Sequence, residues 1–179
     1  AQSAYAGGIA GSNLGTIQNC ESEVQYDDAA QALQALASGD YAGGIAGYNN
    51  GTITADDTVY AVSVVGGGSC VGGIVGENDT GAVLRNYALE GGYIRGKNHV
   101  GGLVGRNLTK ALFSQQLSAN PNEVAGDYCV GGVIGTNIID LLQNQTAQCA
   151  VYNILGSVSG KAFVGGMIGA QFSTSGSAW

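Results

Sequence analysis

Cys70, His99 and Cys129 are the residues whose types and spacing could do chemistry, standing 29 and 30 residues apart. Thiol and imidazole are zinc-ligand types. A structural zinc site asks for four ligands at ~2.0–2.3 Å. This line offers three, with no fourth evident, and successive strands would hold them ~4.8 Å apart. Packing is therefore preferred to metal binding at all three. His99 is the single histidine, so the His-Glu-x-x-His pattern of zinc peptidases is absent. Glycine-rich phosphate loops need Gly-Lys-Ser/Thr or a strand–helix setting, and the chain has neither. The carboxylates are scattered. Asp27-Asp28 and Asp56-Asp57 are adjacent pairs, read first as cap and turn residues. Asp56 and Asp57 are also the candidates for a carbohydrate-active groove. No catalytic, metal or cofactor residue is assigned.

What positions these residues is a repeat. The core GGIAG at 7–11 returns as GGIAG, GGIVG, GGLVG, GGVIG and GGMIG, with first glycines at 7, 43, 72, 101, 131 and 165. The steps are 36, 29, 29, 30 and 34 residues, a period that marks a solenoid. Cys70 and Cys129 fall at the same repeat position, two before the first glycine. Stacked in register, they would be ~10 Å apart, beyond the ~7 Å Cα limit of a disulfide. They are expected not to bond to each other, and the pairing of Cys20 and Cys149 stays open.

The repeat columns sort by face. One before the first glycine stand Ala6, Ala42, Val71, Val100, Val130 and Val164; three after it stand Ala10, Ala46, Val75, Val104, Ile134 and Ile168. Both columns turn from Ala to β-branched residues between copies two and three. Four residues apart on a strand, they share a face, and they read as interior. The opposite face carries Tyr5, Tyr41, Cys70, His99, Cys129 and Phe163, and also Ile9, Ile45, Ile74, Leu103, Val133 and Met167. Either the glycine pair bends the strand and re-aims one of these columns, or something packs outside. An Asn column (Asn13, Asn49, Asn78, Asn107 and Asn137, then Gln171) follows the motif and reads as a corner, with stacked amides.

Three strands per repeat are expected. The second is short, as in Thr16-Ile17, Thr52-Ile53 and Ala82-Val83-Leu84. The third is clearest in VYAVSVVG at 59–66, YALEGGYI at 87–94 and VYNILGSV at 151–158. Gly67, Gly96, Gly126 and Gly160 mark a further corner. The longer repeats hold insertions. DDAAQALQALASGD at 27–40 predicts one short helix near 28–38, with Asp27 or Asp28 capping its start and Gly39 its end. It is expected to lie on the outer apolar face. A helical turn is expected before Pro121, within 108–123.

Composition bounds the class. Thirty-two glycines in 179 residues sit at fixed offsets, and 45% of residues are hydrophobic, so the chain reads as folded. One proline leaves strand pairing uninterrupted. Thirteen acids against six bases give a net charge of −7, which argues against nucleic acid and anionic membrane as partners. No run of ~18 apolar residues suggests membrane insertion. No capping repeats are visible at either end, so a segment of a longer protein, or stacking on other copies, is expected.

YAGGIAGSNLGTIQNC at 5–20 resembles the GLUG motif, whose usual form is close to GGLVGxNxGxI; GGLVGRN at 101–107 matches its first half letter for letter. Thr109, Ile139 and Ser173 replace the glycine after the Asn in the last three copies. The resemblance spans all six copies. It implies a non-catalytic part of a secreted or cell-wall-anchored bacterial protein, such as an adhesin-like surface protein or an IgA-specific metallopeptidase. The expected whole is a single domain over 1–179. It is all-β, a right-handed parallel β-helix-like solenoid of about six rungs. Its role would be a stalk, spacer or filament unit at the bacterial cell surface. Its partners would be a host protein or glycan, or further copies stacked end to end.

Overall fold

A computed structural model describes residues 5–20, 34–37, 40–54, 58–60, 63–85, 87–109, 116–139, 150–152 and 156–173. These form 24 short strands, β1 to β24 in chain order, and no helix. All strand pairs are parallel, and the five sheets wrap into a β-solenoid.

The first sheet stacks β1 (Tyr5–Gly7), β5 (Tyr41–Gly43), β10 (Cys70–Gly72), β15 (Asn98–Gly101), β19 (Tyr128–Gly131) and β23 (Ala162–Gly165). The second stacks β2 (Ala10–Asn13), β6 (Ala46–Asn49), β11 (Val75–Asn78), β16 (Val104–Asn107), β20 (Ile134–Ile139) and β24 (Ile168–Ser173). The third holds β3 (Thr16–Gln18), β7 (Thr52–Thr54) and β12 (Val83–Arg85). The fourth holds β8 (Thr58–Tyr60), β13 (Ala88–Glu90), β17 (Gln116–Asn120) and β21 (Ala150–Tyr152). The fifth holds β4 (Gln34–Ala37), β9 (Ser63–Gly66), β14 (Tyr93–Arg95), β18 (Glu123–Ala125) and β22 (Ser157–Ser159). Among the described residues, β5–β9 and β10–β14 are the coils that show every strand.

Register is like on like. Gly7, Gly43, Gly72, Gly101, Gly131 and Gly165 pair in sequence, and so do the Ala6-to-Val164 and Ala10-to-Ile168 columns. Ala42, Val71, Val100, Val130, Ala46, Val75, Val104 and Ile134 are buried, as the column pattern required. Ile53 and Leu84 from the third sheet, Leu89 and Ala119 from the fourth, and Val64, Ile94 and Val124 from the fifth close the core. Apolar columns shielded on every side are what a parallel solenoid needs, since it has no solvated face to spare.

The three-strand expectation becomes five segments. The glycine pair breaks the motif strand in two, and the third strand breaks again. Gly91 and Gly92 turn the chain between β13 and β14 with φ of 74° and 83°, a backbone open to glycine. The bend also settles the doubly apolar motif strand. Ile45, Ile74, Leu103 and Val133 turn inward and join the core, while the Tyr5-to-Phe163 column stays outside.

The expected helix near 28–38 does not extend over Gln34–Ala37, which are strand β4 in register with Ser63–Gly66. Ladder pairing outweighs the helix preference of Ala and Leu there, a local bias that tertiary context overrides; 21–33 and 38–39 lie outside the described residues. The turn expected before Pro121 is replaced over 116–120 by β17, whose Ala119 pairs with Leu89 and is buried. One corner glycine also shifts. Gly66, not Gly67, is level with Gly96, because Val65 pairs with Arg95. A Cβ at Gly96 would come within 2.5 Å of Val71 Cγ2, so these glycines make room for the valine column.

Candidate functional site

The glycine bend leaves a gutter along the outside of the solenoid. The Tyr5–Tyr41–Cys70–His99–Cys129–Phe163 column borders it on the first sheet. On the second, the column of Ser12, Tyr48, Glu77, Arg106, Thr136 and Ala170 faces it in register.

What brings the two sheets so close is the last glycine of each motif. A Cβ on Gly105 would sit 2.5 Å from Val71 N, 2.6 Å from Gly76 O and 2.7 Å from His99 O. Gly76 would meet Ala42 N and Cys70 O at 2.8 Å. Backbone packs on backbone, with no layer of side chains between, so any residue but glycine would force the sheets apart. The first glycine is constrained as well: a Cβ at Gly72 would lie 2.7 Å from both Gly105 N and Leu103 O. Repetition of the motif pointed to a structural role for these glycines. The mutual contact of the two sheets was not readable, because it joins a glycine to the preceding copy's strand.

The lower part of the gutter is aromatic. Tyr5 stacks on Tyr41 with ring centroids 4.9 Å apart and planes 17° from parallel, and Tyr48 leans on Tyr5 at 5.6 Å. Tyr48 Oη donates a hydrogen bond to Asp79. That bond pushes the Tyr48 hydroxyl up to about 12 and holds the Asp79 carboxyl below its ordinary value.

The middle is charged. Glu77 is 5% exposed and pairs with Arg106 of the next copy. Burial raises the Glu77 pKa, and Arg106 opposes it. The Cys70 thiol donates to Glu77 Oε2 at 3.9 Å. Burial pushes that thiol up to about 12, against the pull of Arg106 and with Glu77 adding to the rise. A thiol so held stays protonated and is no nucleophile. His99 Nδ1 and Thr136 Oγ1 share a hydrogen bond of 2.6 Å. Burial first, and Arg106 second, lower the His99 pKa and keep the ring neutral.

Cys70, His99 and Cys129 thus share the gutter column but have separate surroundings. Cys70 bonds to Glu77, His99 to Thr136, and Cys129 is buried. Cys70 and Cys129 are not bonded to each other, as the spacing of their copies led one to expect; both are free thiols, and so is Cys20. Among the described residues no three His, Cys, Asp or Glu side chains converge as metal ligands. Asp27, Asp28, Asp56, Asp57 and Cys149 lie outside the described residues.

A backbone change runs along the same column. His99, Cys129 and Phe163 have φ of 48°, 56° and 56°, the left-handed region that costs an L-residue ~1–2 kcal/mol. Tyr41 and Cys70 do not. Corner length tracks the difference. Six residues separate Ala37 from Gly43 and Gly66 from Gly72, but five separate Gly96 from Gly101, Gly126 from Gly131 and Gly160 from Gly165. The shorter corner starts the strand one residue earlier, and the left-handed residue takes up the change.

Behind the gutter the Asn column forms an amide ladder. Asn13 Nδ2 donates to Asn49 Oδ1 at 2.8 Å, Asn49 to Asn78 at 2.8 Å, Asn78 to Asn107 at 3.3 Å, Asn107 to Asn137 at 2.8 Å and Asn137 to Gln171 Oε1 at 2.6 Å. Asn13 and Asn49 also accept from Gly15 N and Gly51 N, the turn-forming bond of the corner. Where glycine is replaced by Ile139 and Ser173, β20 and β24 run straight through that position and pair there.

The chain matches no protein-family model, no curated protein and no solved structure.

Proposed function

We propose that this chain is a non-catalytic, extracellular repeat domain of a bacterial surface protein, a right-handed solenoid of six rungs that serves as stalk or spacer. The like-on-like register of both motif sheets carries this reading. Each added copy lengthens such a body by ~4.8 Å without altering its interior, so length follows copy number. The GLUG resemblance supports the bacterial surface setting and also fits an accessory segment of an IgA-cleaving metallopeptidase. The gutter suits contact rather than turnover, because the Cys70 thiol stays protonated and Thr136, the hydroxyl bonded to His99, is 1% exposed and closed to a substrate. A host glycan or protein would meet it at Tyr5, Tyr41 and Tyr48, whose rings offer apolar faces with polar rims.

A glycan array paired with a polysaccharide turnover assay tests this. Binding weakened by Tyr5→Ala, with no product released, agrees with the proposal. Product formation that Asp56→Asn or Asp57→Asn abolishes makes the chain a carbohydrate-active enzyme and overturns it.

A further inference from the structure

Among the described residues nothing covers the outer side of β1–β2 or of β23–β24, and these two edges match one another. In copies two to five the core columns are sealed, and Ile45 is 0% exposed. At the edges Ile9 is 41% exposed, Val164 45% and Met167 39%, with Phe163 and Phe172 also exposed. Natural sheet edges are blunted by charge or proline. Residues 5–13 and 162–172, which form these edges, contain neither.

At the motif bend the hydrogen bonds run one way, while at the flanking corners, as from Asn50 N to Asn13 O, they run back. Ile9 N donates to Ile45 O at 3.1 Å, then Ile45 to Ile74, Ile74 to Leu103, Leu103 to Val133 and Val133 to Met167, each at 2.9 Å. Continued by one step, the series places Met167 N against the Ile9 carbonyl of another chain. The amide ladder runs the same way, from Asn13 to Gln171, so Gln171 Nε2 would meet Asn13 Oδ1. Side-chain volumes agree too. The junction would set Ala6 and Ala10 against Val164 and Ile168, and an Ala layer already stacks on a β-branched one at Ala42–Val71 and Ala46–Val75.

We propose that a second copy of this chain docks head to tail, its β1–β2 edge pairing in parallel with β23–β24, Gly7 on Gly165. This rests on the solenoid reading above and names its partner. The β1–β2 edge and the β23–β24 edge are different surfaces, so their contact is heterologous and propagates instead of closing into a dimer.

Sedimentation equilibrium of the purified chain and of Ile9→Lys and Met167→Lys tests it. Both residues are exposed in the single chain, so both variants are expected to fold, which circular dichroism checks. The unaltered chain is expected to gain mass with concentration, to dimers and beyond. Each variant alone stays monomeric. An equimolar mixture forms dimers and stops, because one intact edge of each kind remains. A monomeric unaltered chain, a variant that still associates alone, or a mixture that stays monomeric overturns head-to-tail docking. The spacer reading would survive such a result, since the turnover assay decides it separately.

Discussion

The two faces of the motif sheets obey different rules. Inside, glycine stands on glycine, valine on valine and asparagine on asparagine. Outside, from the second copy on, each copy differs from its neighbours: tyrosine, cysteine, histidine, cysteine and phenylalanine down one wall, tyrosine, glutamate, arginine, threonine and alanine down the other. Each inner column packs on the copies above and below it, so a change at one copy is felt by the copies on either side. In the gutter side chains pair across from one wall to the other, and a local pair such as Glu77–Arg106 can replace a local pair such as His99–Thr136. Fold therefore resides in the columns, and difference between copies resides in the gutter.

Substitutions that break the contrast should rank accordingly. Gly105→Ala has the largest expected effect. Its methyl would meet backbone atoms of Val71, Gly76 and His99, which cannot turn aside, and overpacking against such walls costs ~3 kcal/mol or more. Denaturant unfolding checks this; an unchanged midpoint would mean that the sheets are not in backbone contact.

Asn78→Ala comes next. It strips the partner from Asn49 Nδ2 and from Asn107 Oδ1, both buried, and each orphaned group costs ~1–3 kcal/mol. A loss of roughly 2 kcal/mol is expected in the same unfolding measurement, and one below half that would reduce the ladder to a bystander.

Arg106→Met probes the gutter and carries a pH signature. Without the guanidinium, burial and the Asp79 charge act on Glu77 against the Cys70 hydrogen bond alone, and its pKa rises further. A carboxyl raised in the folded state favours folding in its neutral form; its contribution is complete below the unfolded pKa and is lost as pH rises through the folded one. The stability gap between the unaltered chain and the variant should therefore be small near pH 4 and grow to roughly 2 kcal/mol at pH 7. Adding Glu77→Gln should close most of it. A gap equal at both pH values would show that Glu77 is not the group responsible.

Tyr87→Phe should have the smallest effect. Tyr87 is 1% exposed, and its hydroxyl has no hydrogen-bonding partner among the described residues. Removing an unsatisfied buried group is neutral or slightly stabilising, so unfolding should shift by a few tenths of a kcal/mol upward or not at all. A clear loss would reveal a partner for that hydroxyl.

The inner columns could be read from the sequence because stacking makes every copy solve the same packing problem, and the solutions repeat at a visible period. Ala6 through Val164, the Asn column and the separation of Cys70 from Cys129 all follow from that. The bend could not be read. Ile74 and Cys70 lie four residues apart, with the same parity, yet one enters the core and the other faces the gutter, because Gly72 and Gly73 interrupt the alternation between them. The helix expected near 28–38 failed over Gln34–Ala37 for another reason: local preference is weak, and the neighbouring copy offers those residues a ladder. The left-handed backbone of His99 and Cys129 depends on a corner shorter by one residue, and the sequence shows that difference only once Gly66 rather than Gly67 is known to be level with Gly96.

Nuclear Overhauser contacts among Gly43, Gly72 and Gly101 test the stacking most directly. Parallel, in-register strands require cross-peaks from Gly43 to Gly72 and from Gly72 to Gly101, and exchange-protected side-chain amides on Asn49, Asn78 and Asn107. Glycine contacts confined to each glycine's own copy, or the close α-proton pairs of antiparallel strands, would contradict the columns.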